Sequence, residues 1–164
     1  MKDLYLIACV SKDGGIGLNG DLIWHIKADM QFFRQTTLNS IVVMGSKTYA
    51  SIGNRPLPKR RNIVLSRQDV EHAETFHSQE ELTDFLAHTD GSKFIIGGAS
   101  LYTMFIDIVE KIYLTEVDAI KPADTYFPDF DKSKFTRKVL QVGEHDHIKY
   151  EIVEYTRTDH DLSR

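Results

Sequence analysis

The sequence predicts an α/β domain built on a central, mainly parallel sheet with an antiparallel C-terminal end, and three observations predict it. Short apolar runs rich in Ile, Val and Leu recur at 4–10, 41–44, 62–65, 93–96 and 112–117, each of strand length. Segments with helical spacing lie between them, and strands alternating with helices imply crossover connections and a buried parallel sheet. The C-terminal part changes character: 136–142 and 148–155 are strand-like and flank Gly143-Glu144-His145-Asp146-His147, a hairpin signal that puts an antiparallel pair at the sheet edge.

The helices follow in order. Over 28–36, Phe32 and Phe33 are flanked by Asp29, Gln31, Arg34 and Gln35, an apolar stripe on a polar helix. A second helix begins near Ser46 and ends before Gly53. The third carries a capping box, Ser78 with Glu81, followed by Leu82, Phe85 and Leu86 on one face. The fourth opens after Gly97-Gly98 and carries Leu101, Tyr102 and Phe105. Neither an internal repeat nor a Pro/Gly/Ser linker divides the chain, so a single domain over 1–164 is expected.

Composition narrows the function classes. With 164 residues, 41% hydrophobic and 27% charged, the chain can bury a sizeable core, which excludes a disordered protein. Twenty Lys+Arg against 24 Asp+Glu give a net charge of −4, so no global basic field addresses nucleic acid or anionic lipid, and any anion site is local. The single cysteine, Cys9, lies in an apolar run and reads as a small core residue, which leaves no disulfide framework and implies a reducing compartment. Met1-Lys2-Asp3 runs directly into a short strand, without a signal peptide or membrane span. These features predict a soluble, cytoplasmic protein.

Several motifs bear on chemistry. Gly15-Ile16-Gly17-Leu18-Asn19-Gly20 matches G-x-G-x-x-G literally, but the dinucleotide fingerprint requires the glycines to open a helix, whereas Asn19-Gly20-Asp21 is a turn former and no acid closes the second strand at Met44-Gly45. The segment reads instead as a flexible Gly-rich loop. Ile16, Leu18, Leu22, Ile23 and Trp24 make it apolar enough to serve as a lid. Gly45-Ser46-Lys47-Thr48 ends like a P-loop, yet Ser46 and Ile41 stand where that motif needs glycine. What remains is a strand, a glycine and a helix N-terminus. Ile96-Gly97-Gly98-Ala99-Ser100 repeats that arrangement, and two such junctions jointly suggest a dinucleotide held by backbone amides.

Asp29 stands just inside the first helix, five residues after Trp24 and close to Phe32 and Phe33. It reads either as an acid favoured by the helix dipole or as a partly buried carboxylate awaiting a cationic or donor-rich ligand. His145-Asp146-His147 lacks further ligands and reads as a solvated turn, so no metal is predicted. The absence of a G-x-S-x-G elbow argues against a hydrolase.

Taken in order, these segments resemble dihydrofolate reductase of the bacterial type. The resemblance spans nearly the whole chain: Ile7-Ala8, Gly14-Gly15-Ile16-Gly17, Trp24, Asp29, Met44-Gly45, Ser51-Ile52-Gly53, Arg55-Pro56-Leu57-Pro58, Arg60-Arg61-Asn62, Ile96-Gly97-Gly98, Tyr113-Leu114-Thr115 and Asp124-Thr125-Tyr126-Phe127-Pro128. It is the ordered combination that is specific. It implies an eight-stranded sheet, seven strands parallel and the last antiparallel, flanked by four helices. It also implies hydride transfer from NADPH to C6 of 7,8-dihydrofolate with protonation at N5, giving tetrahydrofolate for one-carbon and thymidylate metabolism.

Carried over by resemblance, the catalytic set is Asp29, Trp24, Leu22 and Thr115. Asp29 would accept hydrogen bonds from pterin N3 and the 2-amino group, Thr115 would support it, and Trp24 would reach the pterin through an ordered water. Phe33, Leu22, Ile52 and Leu57 would sandwich the pterin and benzoyl rings, Ile7 and Ala8 would offer backbone contacts, and Arg60 would pair with the glutamate carboxylate. For NADPH, Ala8, Ile16, Gly17 and Leu22 would meet the nicotinamide. Gly45, Ser46, Lys47 and Thr48 on one junction and Ile96, Gly97, Gly98, Ala99, Ser100, Leu101 and Tyr102 on the other would hold the diphosphate region. Leu65, Ser66, Arg67 and His77 would surround the adenosine 2′-phosphate.

Three residues depart from the family pattern. Ile23 stands where a proline usually precedes the tryptophan and Lys27 replaces another proline, which predicts a less rigid lid. Ser46 replaces a basic residue that commonly assists the phosphates. The resemblance further implies a monomer that binds small molecules, antifolates included, and neither nucleic acid nor membrane. Two other readings fit the glycine junctions: a riboflavin-pathway reductase of the same fold, which needs a ribosyl-phosphate site in place of Trp24 and Asp29, and a nucleotide-binding regulator without catalysis.

Overall fold

A computed structural model describes residues 1–158; the last six residues of the expected 1–164 domain lie outside the described residues. In chain order the elements are β1 (Leu4–Val10), β2 (Gly15–Leu18), β3 (Asp21–Leu22), α1 (Lys27–Thr37), β4 (Ile41–Gly45), α2 (Ser46–Ser51), β5 (Arg61–Leu65) and β6 (Glu74–Phe76). They continue with α3 (Gln79–Ala87), β7 (Lys93–Gly97), α4 (Ala99–Phe105), β8 (Lys111–Val117), β9 (Thr125–Tyr126), a 3-10 turn (Lys132–Lys134), β10 (Phe135–His145) and β11 (Ile148–Arg157).

Eight strands form one sheet in the order β10-β11-β8-β1-β7-β4-β5-β6. From β8 to β6 every pairing is parallel, whereas β11 runs antiparallel to both β8 and β10. Only the last strand in sequence therefore opposes the rest. The alternation in β1 shows why both faces are covered. Leu4, Leu6 and Val10 join the cluster containing Leu101, Phe105 and Leu114, while Ile7 joins the opposite cluster with Val42, Met44 and Tyr49, against which Phe32 and Phe33 of α1 pack. A third cluster, Trp24, Ile26, Val117, Tyr150 and Ile152, extends the α1 side. Burial on both faces is what parallel strands of such uniform apolarity require.

Local chemistry sets the boundaries. The Ser78 hydroxyl accepts from the Glu81 N–H at 3.1 Å, the cap expected for α3. The C-terminal hairpin is tighter than expected: β10 continues through His145, and only Asp146 and His147, with φ of +50° and +66°, make the two-residue turn.

The expectation of a flexible Gly-rich loop over 15–24 needs correction. Its first half is β2, paired with β9 and with β3 in a separate three-stranded sheet. Asn19 and Gly20, with φ of +53° and +81°, form the tight turn between β2 and β3. Gly17 is required by packing, because a Cβ there would lie 2.6 Å from Thr125 Oγ1. This is a structural use of glycine, unrelated to phosphate binding.

Candidate active site

The central carboxylate is assembled from three elements. Cys9 of β1 stands directly beside Thr115 of β8 in the parallel register, and the first turn of α1 brings Asp29 over both. The buried Thr115 hydroxyl donates to Asp29 Oδ1 at 2.5 Å. The Cys9 thiol hydrogen-bonds the same carboxylate, and burial first, then the Asp29 charge, push the thiol pKa up. Burial pushes the Asp29 carboxyl above the ordinary range, against the opposing pull of these two donors. Asp29 is therefore a half-buried acid held by two side-chain donors rather than a surface residue. The sequence marks Cys9 only as a small core residue and carries no sign of this contact.

The segment 15–24 precedes α1 in the chain. Asp124 ties it down, accepting from the Asn19 N–H at 3.0 Å and donating its own N–H to the Gly17 carbonyl at 2.9 Å. Ile16 is buried, whereas Leu22 leaves 58% of its surface exposed, an apolar cover for a bound ligand. Trp24 is buried, and its indole N–H donates to Ser11 Oγ at 2.8 Å. The acceptor is the residue that immediately follows β1, and it takes the only indole donor.

At the other end of α1, Arg60 is set by its neighbours. Its Nε donates to the Pro58 carbonyl at 3.0 Å and a terminal nitrogen to Thr37 Oγ1 at 3.1 Å, while Thr37, fully buried, donates to the Phe33 carbonyl. The buried Asn62 amide shapes the preceding loop by accepting from the Leu57 N–H and donating to the Leu57 and Arg60 carbonyls. Partial burial and the nearby Arg34 guanidinium lower the Arg60 pKa, the electrostatic condition of a cation facing an anion site. Phe33, Ile52 and Leu57 are half-buried against one cluster between Asp29 and Arg60, with Ile7 at its floor.

The two glycine junctions come together because β4 and β7 are neighbours. Met44 pairs with Gly97 across a register shift after Val43. Gly97, with φ of +135°, and Gly98 are joined by a cis peptide. A Cβ on Gly97 would lie 3.3 Å from Thr48 Oγ1 and one on Gly98 3.5 Å from it, so the glycines leave a concave backbone surface facing α2. Gly45 and Gly98, the residues preceding α2 and α4, cap neither helix through a side chain. This bare, amide-rich cradle fits a dinucleotide diphosphate. Ser46, Lys47 and Ser100 are exposed around it and Thr48, Ile96 and Ala99 half-buried, while Leu101 and Tyr102 are buried beneath; Tyr102 donates to the Ile7 carbonyl at 2.7 Å. Ala8 lies one residue beyond that carbonyl.

Leu65, Ser66 and Arg67 leave the end of β5, and His77 leaves the adjacent end of β6. His77 Nδ1 lies 3.0 Å from the Ser66 carbonyl and Nε2 3.0 Å from Asp69 Oδ1, so the ring is held between two acceptors while Arg67 is exposed. Asp69 escaped the sequence reading. Among the described residues no group of three or more His, Cys, Asp or Glu is arranged to hold a metal.

Comparison with known proteins is consistent throughout. The dihydrofolate reductase family model matches residues 3–157. A dihydrofolate reductase of Haemophilus influenzae is 40% identical over 128 residues, 77% of this chain and 79% of that protein. The type 3 enzyme of Salmonella typhimurium is 42% identical over 127 residues, 76% and 78% of the two chains. The structure of dihydrofolate reductase from Enterococcus faecalis, complexed with NADP(H) and the compound RAB-propyl, superimposes with a TM-score of 0.87 at 30% identity, covering 95% of this chain and 96% of that one. The chain belongs to the dihydrofolate reductase family of NADPH-dependent oxidoreductases.

Proposed function

We propose that the chain reduces 7,8-dihydrofolate at C6, with protonation at N5, and that Asp29 is the group on which the reaction turns. The observation that carries this reading is a half-buried carboxylate braced by Thr115 and Cys9 near the start of α1, with Arg60 held by Thr37 at the other end of the same helix. NADPH, when bound, supplies the hydride. Asp29 accepts from the pterin N3 and 2-amino groups, and its negative charge stabilises the cation that develops as N5 takes a proton. Thr115 and Cys9 hold the carboxylate in place. Leu22 and Ile16 exclude bulk water from the reacting face, and Phe33, Ile52 and Leu57 clamp the rings. Arg60 still has terminal N–H groups beyond those spent on Pro58 and Thr37, enough for a two-point contact with the glutamate carboxylate.

For the cofactor, Gly45, Lys47, Thr48, Gly97, Gly98 and Ala99 hold the diphosphate, and Ser66, Arg67 and His77 meet the 2′-phosphate. The chain acts as a cytoplasmic monomer on small molecules, antifolates among its ligands, without nucleic-acid or membrane partners. The net charge of −4, which offers no global basic field, supports the exclusion of nucleic acid. A ribosyl-phosphate substrate of the riboflavin pathway would leave Asp29 facing an anion, which disfavours it. The decisive experiment follows NADPH absorbance with and without dihydrofolate: consumption that requires dihydrofolate is expected, and its absence would overturn the reading.

A further inference from the structure

The segment 23–27 carries Ile23 and Lys27 where the resembled family has prolines, yet its Trp24 is held by two residues from other parts of the chain. Ser11, 3% exposed, accepts the indole N–H of Trp24, 4% exposed, at 2.8 Å. Lys121 Nζ lies 4.4 Å from the centre of the indole ring and donates to the Ile23 carbonyl at 3.3 Å. Ser11 immediately follows β1, two residues beyond Cys9 and on the same alternating face, so one side of one strand serves both Asp29 and Trp24.

We infer that Ser11 is a positioning residue for the lid: it locks the indole of Trp24 to the central sheet and, with Lys121, replaces the restraint that prolines provide elsewhere. The physical reason lies in the burial of the donor. A buried N–H has one satisfying orientation here, and turning the ring away would leave both the indole and the Ser11 hydroxyl unpaired. The lock fixes the C-terminal end of the lid. Lid movement is then confined to the turn at Asn19 and Gly20 and to the exposed Leu22, five residues or fewer before the anchor. Ser11 touches neither reacting atoms nor cofactor in this scheme, and acts only through Trp24.

The inference rests on the lid covering the pterin site, and its test is separable from that reading because the unaltered enzyme's dihydrofolate-dependent NADPH consumption is measured alongside. Trp24 is the only tryptophan, so its emission reports the bond directly. In Ser11→Ala, the emission should shift and single-turnover hydride transfer should slow roughly tenfold, less than the hundredfold cost of a 1 Å misplacement, with KM for dihydrofolate changed less than about twofold. Ser11→Thr, which keeps the hydroxyl, should restore both signals. Lys121→Met, at an exposed position, should move both in the same direction by less. A Ser11→Ala enzyme that is less heat-stable but has unchanged emission and an unchanged hydride-transfer rate would overturn the proposal and leave Ser11 as mere filling.

Discussion

Thr115 and Asp29 meet across 86 residues of sequence, hydroxyl to carboxylate at 2.5 Å, although one lies in the sheet and the other in the first turn of a helix. The bond orients the acid and opposes, without cancelling, the upward push of burial on its pKa. Three further relationships in the site can be tested in the same way.

Asp29→Asn separates charge from shape. The Thr115 hydroxyl can still donate to the amide oxygen, so the variant should fold and bind NADPH normally while hydride transfer at pH 7 falls roughly a hundredfold or more. Acidification should restore part of the rate, because N5 can then be protonated before binding. The stability sign is opposite. A carboxyl whose folded pKa is raised binds its proton more tightly when folded, so stability falls as pH rises from the ordinary range of about 4 through the folded value. At neutral pH the ionised acid is a cost that Asn removes, so the variant's Tm should equal or exceed that of the parent. A wild-type hydride-transfer rate would reduce Asp29 to a helix-dipole acid.

Cys9→Val keeps the volume and removes the thiol donor. Since that donor lowers the Asp29 pKa, its loss should move the carboxyl further upward, and Cys9→Ser should not. Carbon-13 NMR of the Asp29 carboxyl across a pH series reads this directly. Coincident titration curves for parent and Val variant would show that the thiol does not matter.

Arg60→Ala should raise KM for dihydrofolate with a smaller change in kcat, by about 2 kcal/mol or more if the carboxylate pair is desolvated. Thr37→Val, which removes the hydroxyl bracing Arg60, should act in the same direction more weakly. A substrate analogue lacking the glutamate tail is the control. If Arg60→Ala weakens that analogue equally, the guanidinium binds something else.

Preference for NADPH over NADH should depend on Arg67 and His77. Arg67→Ala should cut the ratio of the two kcat/KM values by about tenfold, the size of one hydrogen bond to a charged group. Asp69→Asn should raise the ratio, because it removes a negative charge 3.0 Å from His77 at the place where a dianion must sit. Equal kcat/KM values for the two cofactors in the unaltered enzyme would exclude a 2′-phosphate site here.

The large elements were legible because each carries its own local signal. β1, β4 and β8 are apolar runs, and the α3 cap is visible in Ser78 and Glu81. β6, β3 and β9 have three, two and two residues, too few to show a period, and exist only through their partners. Likewise β2 contains two glycines that read as a loop until Thr125 is brought against Gly17. Asp29 announced itself as a charge beside apolar residues, whereas Arg60, between Lys59 and Arg61, was marked only by the family resemblance. Cys9 and Ser11 did not, although a signal was present: along Ile7, Cys9 and Ser11, one face of an otherwise apolar strand becomes steadily more polar. What that polarity serves depends on residues that arrive from Trp24 and Asp29, and no local pattern encodes their approach.

The position of β1 has a consequence for how the molecule comes into being. β1 precedes its two neighbours, which begin at Lys93 and Lys111, so Leu4 and Tyr5 wait until roughly 90 to 105 further residues have been made before they find Lys93 and Lys111 opposite them. Until then Leu4, Leu6, Ile7 and Val10 form an unpaired apolar segment on a growing chain. Such long-range pairing slows folding, and β1 is the stretch a nascent-chain chaperone should contact first and release last. The strand that supplies Cys9 to the Asp29 carboxylate thus stays unpaired until β7 and β8 have been made.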